Sequence, residues 1–422
     1  MRILVLGSGA REHAIITGLL REETRHEVVA APGNAGIAGI VPVVALDPNV
    51  PGAVTEYAIE HGIDLVVIGP EAPLVAGVAD ALRAQGIPVF GPGRAAAALE
   101  GSKTFAKRIM NEAGVPTGRA ERAGTLAEAT RALDEFGSPY VVKADGLAAG
   151  KGVLVTEDRL TALAHAEYWL QHGGVLVEEF LAGQEVSLFF LSDGHTVLPL
   201  SPAQDYKRLA DGDLGPNTGG MGAYSPLPWL DAGFGSEQAF VDEVLDTIAL
   251  PTVSRLAAED TPFIGLLYCG LILTDAGIRV IEFNARFGDP ETQVVLPRLV
   301  TPLSGLLLAA STGGLGGLAR PVFSNECCVT VVLASENYPE TPVTGRAIRG
   351  IDAASAVPGV SIAHAATALV GGELRSTGGR VLSVVALGAG FAEARERVYS
   401  ALAEITLEGA QFRTDIAARV VA

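Results

Sequence analysis

Short apolar segments alternate with helical segments over the first hundred residues of the chain. The apolar segments are 3–6, 27–30, 65–68 and 89–90, and a turn containing Gly or Pro follows each of them. Strands that are apolar on both faces and are joined by helices form parallel sheets with right-handed crossovers. The pattern therefore predicts an N-terminal α/β domain that is built on a parallel sheet.

Three polar loops follow these strands, at 7–13, 31–36 and 69–74. Ligands of parallel sheets bind at the carboxyl ends of the strands, so each loop is a candidate ligand loop. The first loop begins Gly-Ser-Gly, but Glu12 occupies the position where a dinucleotide fingerprint has Gly or Ala, which argues against an NAD-dependent dehydrogenase. The spacing suits a helix N-terminus that receives a phosphate, with Arg11 nearby.

The length and composition of the chain limit the class of protein. At about 100 to 200 residues per domain, 422 residues predict two to four domains. Apolar residues make up 49% and charged residues 18%, a balance typical of packed globular proteins. The formal net charge of -18 argues against general binding to nucleic acid or to an anionic membrane surface.

The sequence also bears on the compartment. No apolar run approaches the ~18 residues that cross a bilayer, and the N-terminal apolar run is too short for a signal peptide. The three cysteines are Cys269, Cys327 and Cys328, an odd number with one adjacent pair, so no disulfide framework is expected. We therefore expect a protein of the reducing cytoplasm.

A smaller α+β unit of about 70 residues follows the turn at 115–117. Its predicted helices are 125–136 and 160–170, and its predicted strands are 140–143, 153–156 and 175–178. A longer mixed region ends with strands at 266–274 and 278–283. The last segment, from about 327, has short strands and a closing helix at 392–405.

Lys143 and Lys151 flank a loop of small residues between two predicted strands. Small residues let backbone N–H groups approach phosphate oxygens, and the lysines supply positive charge, so the segment 141–153 predicts a phosphate cradle. It is not a Walker A loop, because Gly152 follows Lys151 where Ser or Thr is required. A flexible hairpin with solvated lysines is the alternative.

A second candidate segment, 177–185, follows the strand at 175–178 and is rich in carboxylates. Its carboxylates could accept hydrogen bonds from a ribose, and its backbone could bind an adenine. Taken alone, the segment is better explained as a solvated acidic turn, and the nucleotide interpretation depends on its neighbours.

The metal candidate is the strand that contains Glu282, Asn284 and Arg286. Side chains alternate along a strand, so these three share one face while Phe283 and Phe287 pack on the other. A carboxylate and an amide oxygen suit Mg²⁺, which also takes waters and nucleotide phosphates as ligands. Arg286 could hold a transferring phosphoryl group. A surface strand with one polar face is the alternative.

The stretch 213–226 carries several glycines and two prolines. An ordered loop of this length is costly unless function requires it. We therefore predict a long ordered loop around a compact anionic substrate, with a disordered linker as the alternative.

Taken together, these segments resemble the phosphoribosylamine–glycine ligase family, also called glycinamide ribonucleotide synthetases, of the ATP-grasp superfamily. The resembling motifs cover nearly the whole chain and are found at 7–9, 69–74, 99–103, 143–153, 215–226, 282–292 and 378–382. The resemblance implies a ligase that joins glycine to 5-phosphoribosylamine while ATP is cleaved to ADP and phosphate, the second step of purine synthesis.

The implied fold is α/β and α+β and has four parts. They are an N-terminal parallel-sheet domain over 1–101, a central ATP-grasp domain over 102–121 and 190–325, an ATP-grasp lid over 122–189, and a C-terminal domain over 326–422. The implied partners are small molecules, with no nucleic acid and no membrane, and we expect a monomer.

The resemblance also implies the site residues. ATP would be bound by Lys103, Lys143, Ala148, Ala149, Gly150, Lys151, Gly152, Glu178, Glu179, Leu181 and Glu185. Glycine and 5-phosphoribosylamine would be enclosed by Gly9, Arg11, Glu12, Asn34, Gly36, Pro70, Glu71, Asp213, Asn217, Thr218, Gly219, Gly220, Met221, Gly222 and Arg286. Mg²⁺ or Mn²⁺ would be held by Glu282 and Asn284, and the catalytic residues would be Arg286, Lys143 and Lys151.

The chain departs from the family pattern at Ala10, Ala203 and Tyr206, and the lid is shortened near 172–174. Two other classes compete with the ligase. A different ATP-grasp enzyme, such as a biotin-dependent carboxylase or a formate-using purine enzyme, does not explain the stretch 215–226. A non-catalytic nucleotide-binding module would be expected to lose Glu282, Asn284 or a phosphate-binding lysine, and all are present.

Overall fold

The computed structural model describes residues 1–146 and 152–421. The first part of the chain comprises β1 (Arg2–Gly7), α1 (Ala10–Leu20), β2 (Glu27–Pro32), α2 (Ala35–Ala38), α3 (Pro51–Glu60), β3 (Leu65–Ile68), α4 (Glu71–Ala76), α5 (Val78–Ala84), β4 (Val89–Phe90), α6 (Arg94–Gly101) and α7 (Lys103–Ala113). The strands form one sheet in the order β2-β1-β3-β4, and all neighbours are parallel. Every residue of β3 is buried, as in a sheet covered on both faces. The predicted parallel sheet is confirmed.

The α+β unit comprises β5 (Ala120–Ala123), α8 (Leu126–Phe136), β6 (Tyr140–Ala144), β7 (Val153–Thr156), α9 (Arg159–Leu170) and β8 (Val175–Glu178). Its antiparallel sheet has the order β5-β8-β6-β7, and α8 and α9 pack on it. Ala129, Leu133, Val142 and Val177 belong to an apolar core that is separate from the rest of the molecule. The unit is therefore compact, as its sequence predicts.

The next part comprises β9 (Gln184–Asp193), β10 (Val197–Pro199), β11 (Gln204–Asp205), β12 (Arg208–Ala210), β13 (Leu214–Asn217), β14 (Gly222–Ser225), α10 (Leu230–Phe234), α11 (Glu237–Val244), α12 (Leu250–Ala258), β15 (Ile264–Thr274), β16 (Gly277–Asn284), α13 (Thr292–Val295) and α14 (Leu303–Thr312). The central antiparallel sheet has the order β10-β9-β15-β16. The pair β15 and β16 corresponds to the two strands predicted at 266–274 and 278–283.

The last part comprises β17 (Cys327–Ala334), β18 (Ile348–Arg349), α15 (Ile351–Ser355), β19 (Val360–His364), β20 (Thr367–Val370), β21 (Glu373–Ser376), β22 (Arg380–Gly388), α16 (Phe391–Glu404) and β23 (Thr406–Leu407). Its antiparallel sheet has the order β11-β14-β17-β22-β19. Two of these five strands, β11 and β14, come from before residue 226. The C-terminal sheet therefore extends across the predicted boundary at 326.

The stretch 213–226 forms two short strands, and not the single long loop that its glycines and prolines predict. β13 pairs with β12, and β14 pairs with β11 and β17. A side chain at Gly222 would place its Cβ 2.7 Å from the carbonyl oxygen of Thr330 on β17. Glycine is therefore needed here for the close approach of two strands, a use that the sequence pattern does not distinguish from a turn.

No helix in the described ranges has both the length and the apolar character to span a membrane.

Two buried histidines join the N-terminal and C-terminal parts of the molecule. The backbone N–H of His364 donates to Nδ1 of His13 over 3.0 Å, and the two rings stack with their centroids 5.7 Å apart. Nδ1 of His13 must therefore be unprotonated. Burial lowers the pKa of His13, with a contribution from His364, and that of His364, each to about 4.

We expect the free energy of unfolding to fall as the pH drops from 6.5 to about 4. In the unfolded chain the histidines have an ordinary pKa near 6.5, so in this range they bind protons that the folded chain excludes. By pH 5 this lowers the free energy of unfolding by up to about 2 kcal/mol per histidine. Denaturant titrations between pH 7 and pH 4.5 measure this slope.

The double variant His13→Asn/His364→Asn is expected to lose much of the slope, because an Asn carbonyl keeps an acceptor but does not titrate. His61→Asn, at an exposed histidine, is the control and keeps it. An unchanged slope in the double variant would contradict the assignment.

Candidate active site

A cavity of about 1240 Å³ lies where the four parts of the chain meet. The N-terminal part contributes Arg11 and the start of α4, the lid contributes β6, β7 and β8, and the central sheet contributes β16. The C-terminal part contributes Tyr338 and Arg380. One cavity therefore combines candidate residues that are far apart in the sequence.

Lys143 and Glu178 pair across two neighbouring strands of the lid. Val141 of β6 lies opposite Glu178 of β8, so Lys143 is diagonally opposite Glu178 on the same face. Lys143 Nζ is 2.9 Å from Glu178 Oε2, and Lys107 Nζ is 3.4 Å from the same oxygen. Both Lys143 and Glu178 are buried, and a buried charge without a partner is costly. The pair thus keeps cations at the lid side of the cavity.

Asp145 fixes the start of the predicted phosphate loop. Its carboxylate accepts hydrogen bonds from the backbone N–H and hydroxyl of Thr104 and from the Ser102 hydroxyl, at the start of α7. Lys103 Nζ donates to the carbonyl oxygen of Gly146 over 3.1 Å. The predicted phosphate-binding residues Ala148, Ala149, Gly150 and Lys151 lie outside the described residues.

β16 presents its polar side chains to the cavity, as the alternation in the sequence predicts. Glu282, Asn284 and Arg286 line the cavity. Phe287 is buried away from the lining, whereas Phe283 is buried but also reaches the lining, so the predicted separation of the two faces holds only in part. Burial would raise the pKa of Glu282, but the charges of nearby lysines outweigh it and hold the pKa below its usual value. An ionised carboxylate beside an amide oxygen suits a hard divalent cation.

The described residues contain no cluster of three or more His, Cys, Asp and Glu side chains that could hold a metal ion by themselves. Glu282 and Asn284 therefore fit a metal that takes its remaining ligands from waters and nucleotide phosphates.

Arg286 is held by two carboxylates from the N-terminal part of the chain. Its Nη2 is 2.9 Å from Glu100 Oε1, and its Nε is 3.5 Å from Glu71 Oε2. Glu100 also accepts the backbone N–H of Ala285 over 2.7 Å, which fixes the end of β16. Burial opposes the charge of Arg286, but the two carboxylates raise its pKa above the usual range. Arg286 is therefore a fixed cation on the cavity wall.

Several cavity residues carry no predicted role in the sequence. Lys207 Nζ is 2.6 Å from Glu185 Oε2, beside Asp205. Burial raises the pKa of Asp205 to about 7, against the opposing charge of Lys207. The hydroxyl of Tyr268 donates to Glu291 Oε1 over 2.9 Å. Asp205 and Lys207 lie in the same segment as Ala203 and Tyr206, two positions where the chain departs from the family pattern.

Arg380 fixes another wall of the cavity. Its Nη1 donates to the carbonyl oxygens of Gly219 and Asp289, each over 2.6 Å. The backbone N–H of Gly219 donates to the Tyr338 hydroxyl over 2.9 Å. The motif at 378–382 indicated that this segment matters, but only the fold shows which residues it contacts.

The structure brings most of the predicted site residues together. The cavity is lined by Lys103, Lys143, Gly152, Glu178, Glu179, Leu181 and Glu185, by Arg11, Pro70, Glu71, Asp213, Asn217, Thr218, Gly219 and Arg286, and by Glu282 and Asn284. Seven predicted substrate residues are not part of this lining, namely Gly9, Glu12, Asn34, Gly36, Gly220, Met221 and Gly222.

The loop residues outside the lining have structural contacts. Glu12 accepts the backbone N–H of Gly9 over 2.6 Å, so that donor is engaged within the loop. The amide of Asn34 caps α2 by accepting the N–H of Ile37 and donates to the carbonyl oxygen of His364. Gly36 packs against the ring of His364, where a Cβ would lie 2.3 Å from the ring.

Comparisons with known proteins identify the family. Models of three phosphoribosylglycinamide synthetase domains match consecutive parts of the chain: the N domain at 1–100, the ATP-grasp (A) domain at 101–292, and the C domain at 328–419. A phosphoribosylamine–glycine ligase from Leifsonia xyli subsp. xyli is 74% identical over 422 residues, which is 99% of this chain and 100% of the relative. The chain belongs to the phosphoribosylglycinamide synthetase family.

Solved structures agree with this family fold. The crystal structure of phosphoribosylamine–glycine ligase from Thermotoga maritima is 33% identical to this chain and superimposes with a TM-score of 0.81. The match covers 98% of this chain and 100% of the Thermotoga chain. The biotin carboxylase domain of the Hydrogenobacter thermophilus 2-oxoglutarate carboxylase, solved with MgADP and bicarbonate, is 17% identical with a TM-score of 0.69 over 97% of this chain and 91% of that one. This second likeness concerns the fold alone.

The family membership shows that the chain uses ATP. The A domain of phosphoribosylglycinamide synthetases is an ATP-grasp domain, and an ATP-grasp ligase uses ATP. The predicted nucleotide residues of the lid and of α7 lie within the part matched by this domain.

We expect Lys143→Met to weaken ATP binding. The substitution removes a charge-assisted contact with ATP, so the dissociation constant for ATP is expected to rise about tenfold. Lys107 remains beside Glu178, so the lid is expected to stay folded. Calorimetric titration with ATP measures the effect.

Arg159→Met is the matched control, because Arg159 is a lid cation that pairs with Asp134 away from the cavity. Equal affinities of the Lys143→Met variant and the unmodified protein would remove Lys143 from the nucleotide site.

Proposed function

We propose that the chain joins glycine to 5-phosphoribosylamine to give glycinamide ribonucleotide, with ATP cleaved to ADP and phosphate. The observation that carries this proposal is the match of all three synthetase domains, together with one cavity that residues from all three line. The reaction is the second step of purine biosynthesis.

The proposed chemistry needs no nucleophile from the protein. An oxygen of the glycine carboxylate attacks the γ-phosphorus of ATP, the bond to the β-phosphate oxygen breaks, and glycyl phosphate and ADP form. The amine of phosphoribosylamine then attacks the glycyl carbonyl carbon, phosphate leaves, and the amine loses a proton. A carboxylate is a poor acyl donor, whereas its mixed anhydride with phosphate is a good one.

Catalysis in this proposal rests on position and charge. Lys143, with Lys103 and Lys151, would neutralise the ATP phosphates, and Arg286 would stabilise charge on the transferring phosphoryl group. The support for Arg286 is its fixed orientation between Glu100 and Glu71. Closure of the lid would keep water from the acyl phosphate.

Glu282 and Asn284 would hold Mg²⁺ or Mn²⁺ together with the nucleotide phosphates. A bound divalent cation would supply neutralisation of the negative charge on those phosphates. The donors fit this use because both side chains face the cavity and the lysines around Glu282 favour its ionised form.

The small substrates would lie between the N-terminal part and the C-terminal sheet. The lining there includes Arg11, Glu71, Asp213, Asn217 and Arg286. This end combines cations, which suit the phosphate of phosphoribosylamine, with carboxylates, which suit ammonium groups.

We further propose that the protein acts as a monomer in the cytoplasm on free small molecules. The three cysteines are free, which suits a reducing compartment.

We expect ADP release to require both glycine and phosphoribosylamine. A coupled ADP assay in which each substrate is omitted in turn tests the ligase directly. Substantial release in the absence of either substrate would contradict the proposed function.

We expect Glu282→Ala to abolish turnover while the fold persists, because the metal loses its only proposed carboxylate ligand. Activity as a function of Mg²⁺ concentration and far-UV circular dichroism check the two parts of this expectation. Arg279→Ala, a change earlier on the same strand and outside the cavity lining, is the control. Undiminished activity of Glu282→Ala at ordinary Mg²⁺ would remove Glu282 from the metal site.

A further inference from the structure

The C-terminal segment 413–420 lies against the hairpin formed by β12 and β13. The hairpin contributes Arg208, Asp213 and Asn217 to the cavity lining, and the segment contributes Arg419 and Val420. The proposed function gives residues 413–420 no role. Their contacts with the hairpin indicate one.

Arg413 lies at the centre of the contact between the segment and the hairpin, and its side chain is fully buried. Nε and Nη2 donate to the two carboxylate oxygens of Asp415 over 2.7 and 2.6 Å. Nη1 donates to Asp213 Oδ1 over 2.9 Å and to the carbonyl oxygen of Arg208 over 3.2 Å. The guanidinium carbon is 4.7 Å from the ring centroid of Tyr206. One side chain therefore joins the segment to β12 and to the turn that follows it.

Further hydrogen bonds join the segment to the turn of the same hairpin. The N–H of Thr414 donates to Asp211 Oδ1 over 2.8 Å, and the N–H of Gly212 donates to Asp415 Oδ2 over 2.9 Å. These bonds join two consecutive residues of the turn, Asp211 and Gly212, to two consecutive residues of the segment, Thr414 and Asp415. The position of the turn thus depends on the position of the segment.

The hairpin and the segment each contain a residue with an unfavourable backbone conformation. Asp213 has a φ of 58° and Ala417 has a φ of 55°, and they are two of the four non-glycine residues with positive φ in the described chain. Such conformations cost on the order of 1–3 kcal/mol each and persist only where the surrounding contacts hold them. Arg413 contacts Asp213, and the N–H of Ala417 donates to the Tyr206 hydroxyl over 2.9 Å.

We propose that Arg413 is a positioning residue that holds the hairpin in the conformation that binds the small substrates. Arg413 does not line the cavity and acts through Asp213 and the backbone of Arg208. The inference rests on the proposed function, which places glycine and phosphoribosylamine beside this hairpin.

An arginine is required here because one planar group must reach two carboxylates, a backbone carbonyl oxygen and an aromatic ring. Its fork holds Asp415 with two parallel bonds while the remaining nitrogen reaches Asp213, and its face stacks on Tyr206. A lysine keeps the charge but offers a single donor atom, so it cannot hold both carboxylates in this geometry.

The test compares Arg413→Met and Arg413→Lys with the unmodified enzyme. We expect Arg413→Met to raise the KM for glycine or for phosphoribosylamine about tenfold, the usual effect of losing a charge-assisted hydrogen bond, while the KM for ATP and kcat change less than about twofold. Arg413→Lys is expected to be intermediate. Amide hydrogen exchange is expected to become faster in 208–217 and to stay unchanged in the lid.

Arg397→Lys is the control, because Arg397 is also a partly buried arginine of the C-terminal part but bonds to Glu393 and to the carbonyl oxygen of Leu387, away from the hairpin. It should leave each KM unchanged. Unaltered KM values in Arg413→Met, or an equal rise in the KM for ATP, would overturn the inference.

The exchange measurement separates this inference from the proposed function. If the unmodified protein releases ADP without glycine, the proposed function fails, whatever the hairpin does. If exchange in 208–217 is the same in Arg413→Met and the unmodified protein, Arg413 does not hold the hairpin and the inference fails, whatever reaction the protein catalyses.

Discussion

The cavity depends on the pairing of opposite charges that are buried or partly buried in its walls. Lys143 pairs with Glu178, Arg286 with Glu100, Lys207 with Glu185, and Arg380 with Asp289. A buried charge without a partner costs several kcal/mol, so the most buried pair, Lys143–Glu178, constrains its strands most strongly, and the partly exposed pair Lys207–Glu185 least. All four pairs join different segments of the chain, and the cavity holds its form only while these segments stay in place.

The same pairing explains how an acidic protein can bind anionic ligands. The net charge is -18, yet the cations of the cavity are held at fixed positions by carboxylates beside them. An incoming phosphate can compete with those carboxylates for the lysines without a large rearrangement, because the lysines are already oriented. Local arrangement of charge, and not the net value, therefore determines which small anions can bind.

The sequence predicts the fold better than it predicts the contacts of the site. Alternation and Gly or Pro turns are local signals, and they correctly predict β1, β3 and β8 and the polar residues that β16 presents to the cavity. The prediction of a single long loop over 213–226 is wrong, because a glycine required for close strand packing, such as Gly222, cannot be distinguished in the sequence from a glycine in a turn. The pairs Lys207–Glu185 and Arg380–Asp289 join residues 22 and 91 positions apart, and no local pattern specifies such contacts. They follow only from strand register and domain packing.

The central and C-terminal parts share one sheet, and this limits where the chain can be divided. β17 lies between β14 and β22, so a fragment that begins at 326 would lack β11 and β14 and would leave one edge of β17 exposed. An exposed apolar edge strand pairs readily with other chains. The C-terminal part is therefore unsuited to exist as a separate polypeptide.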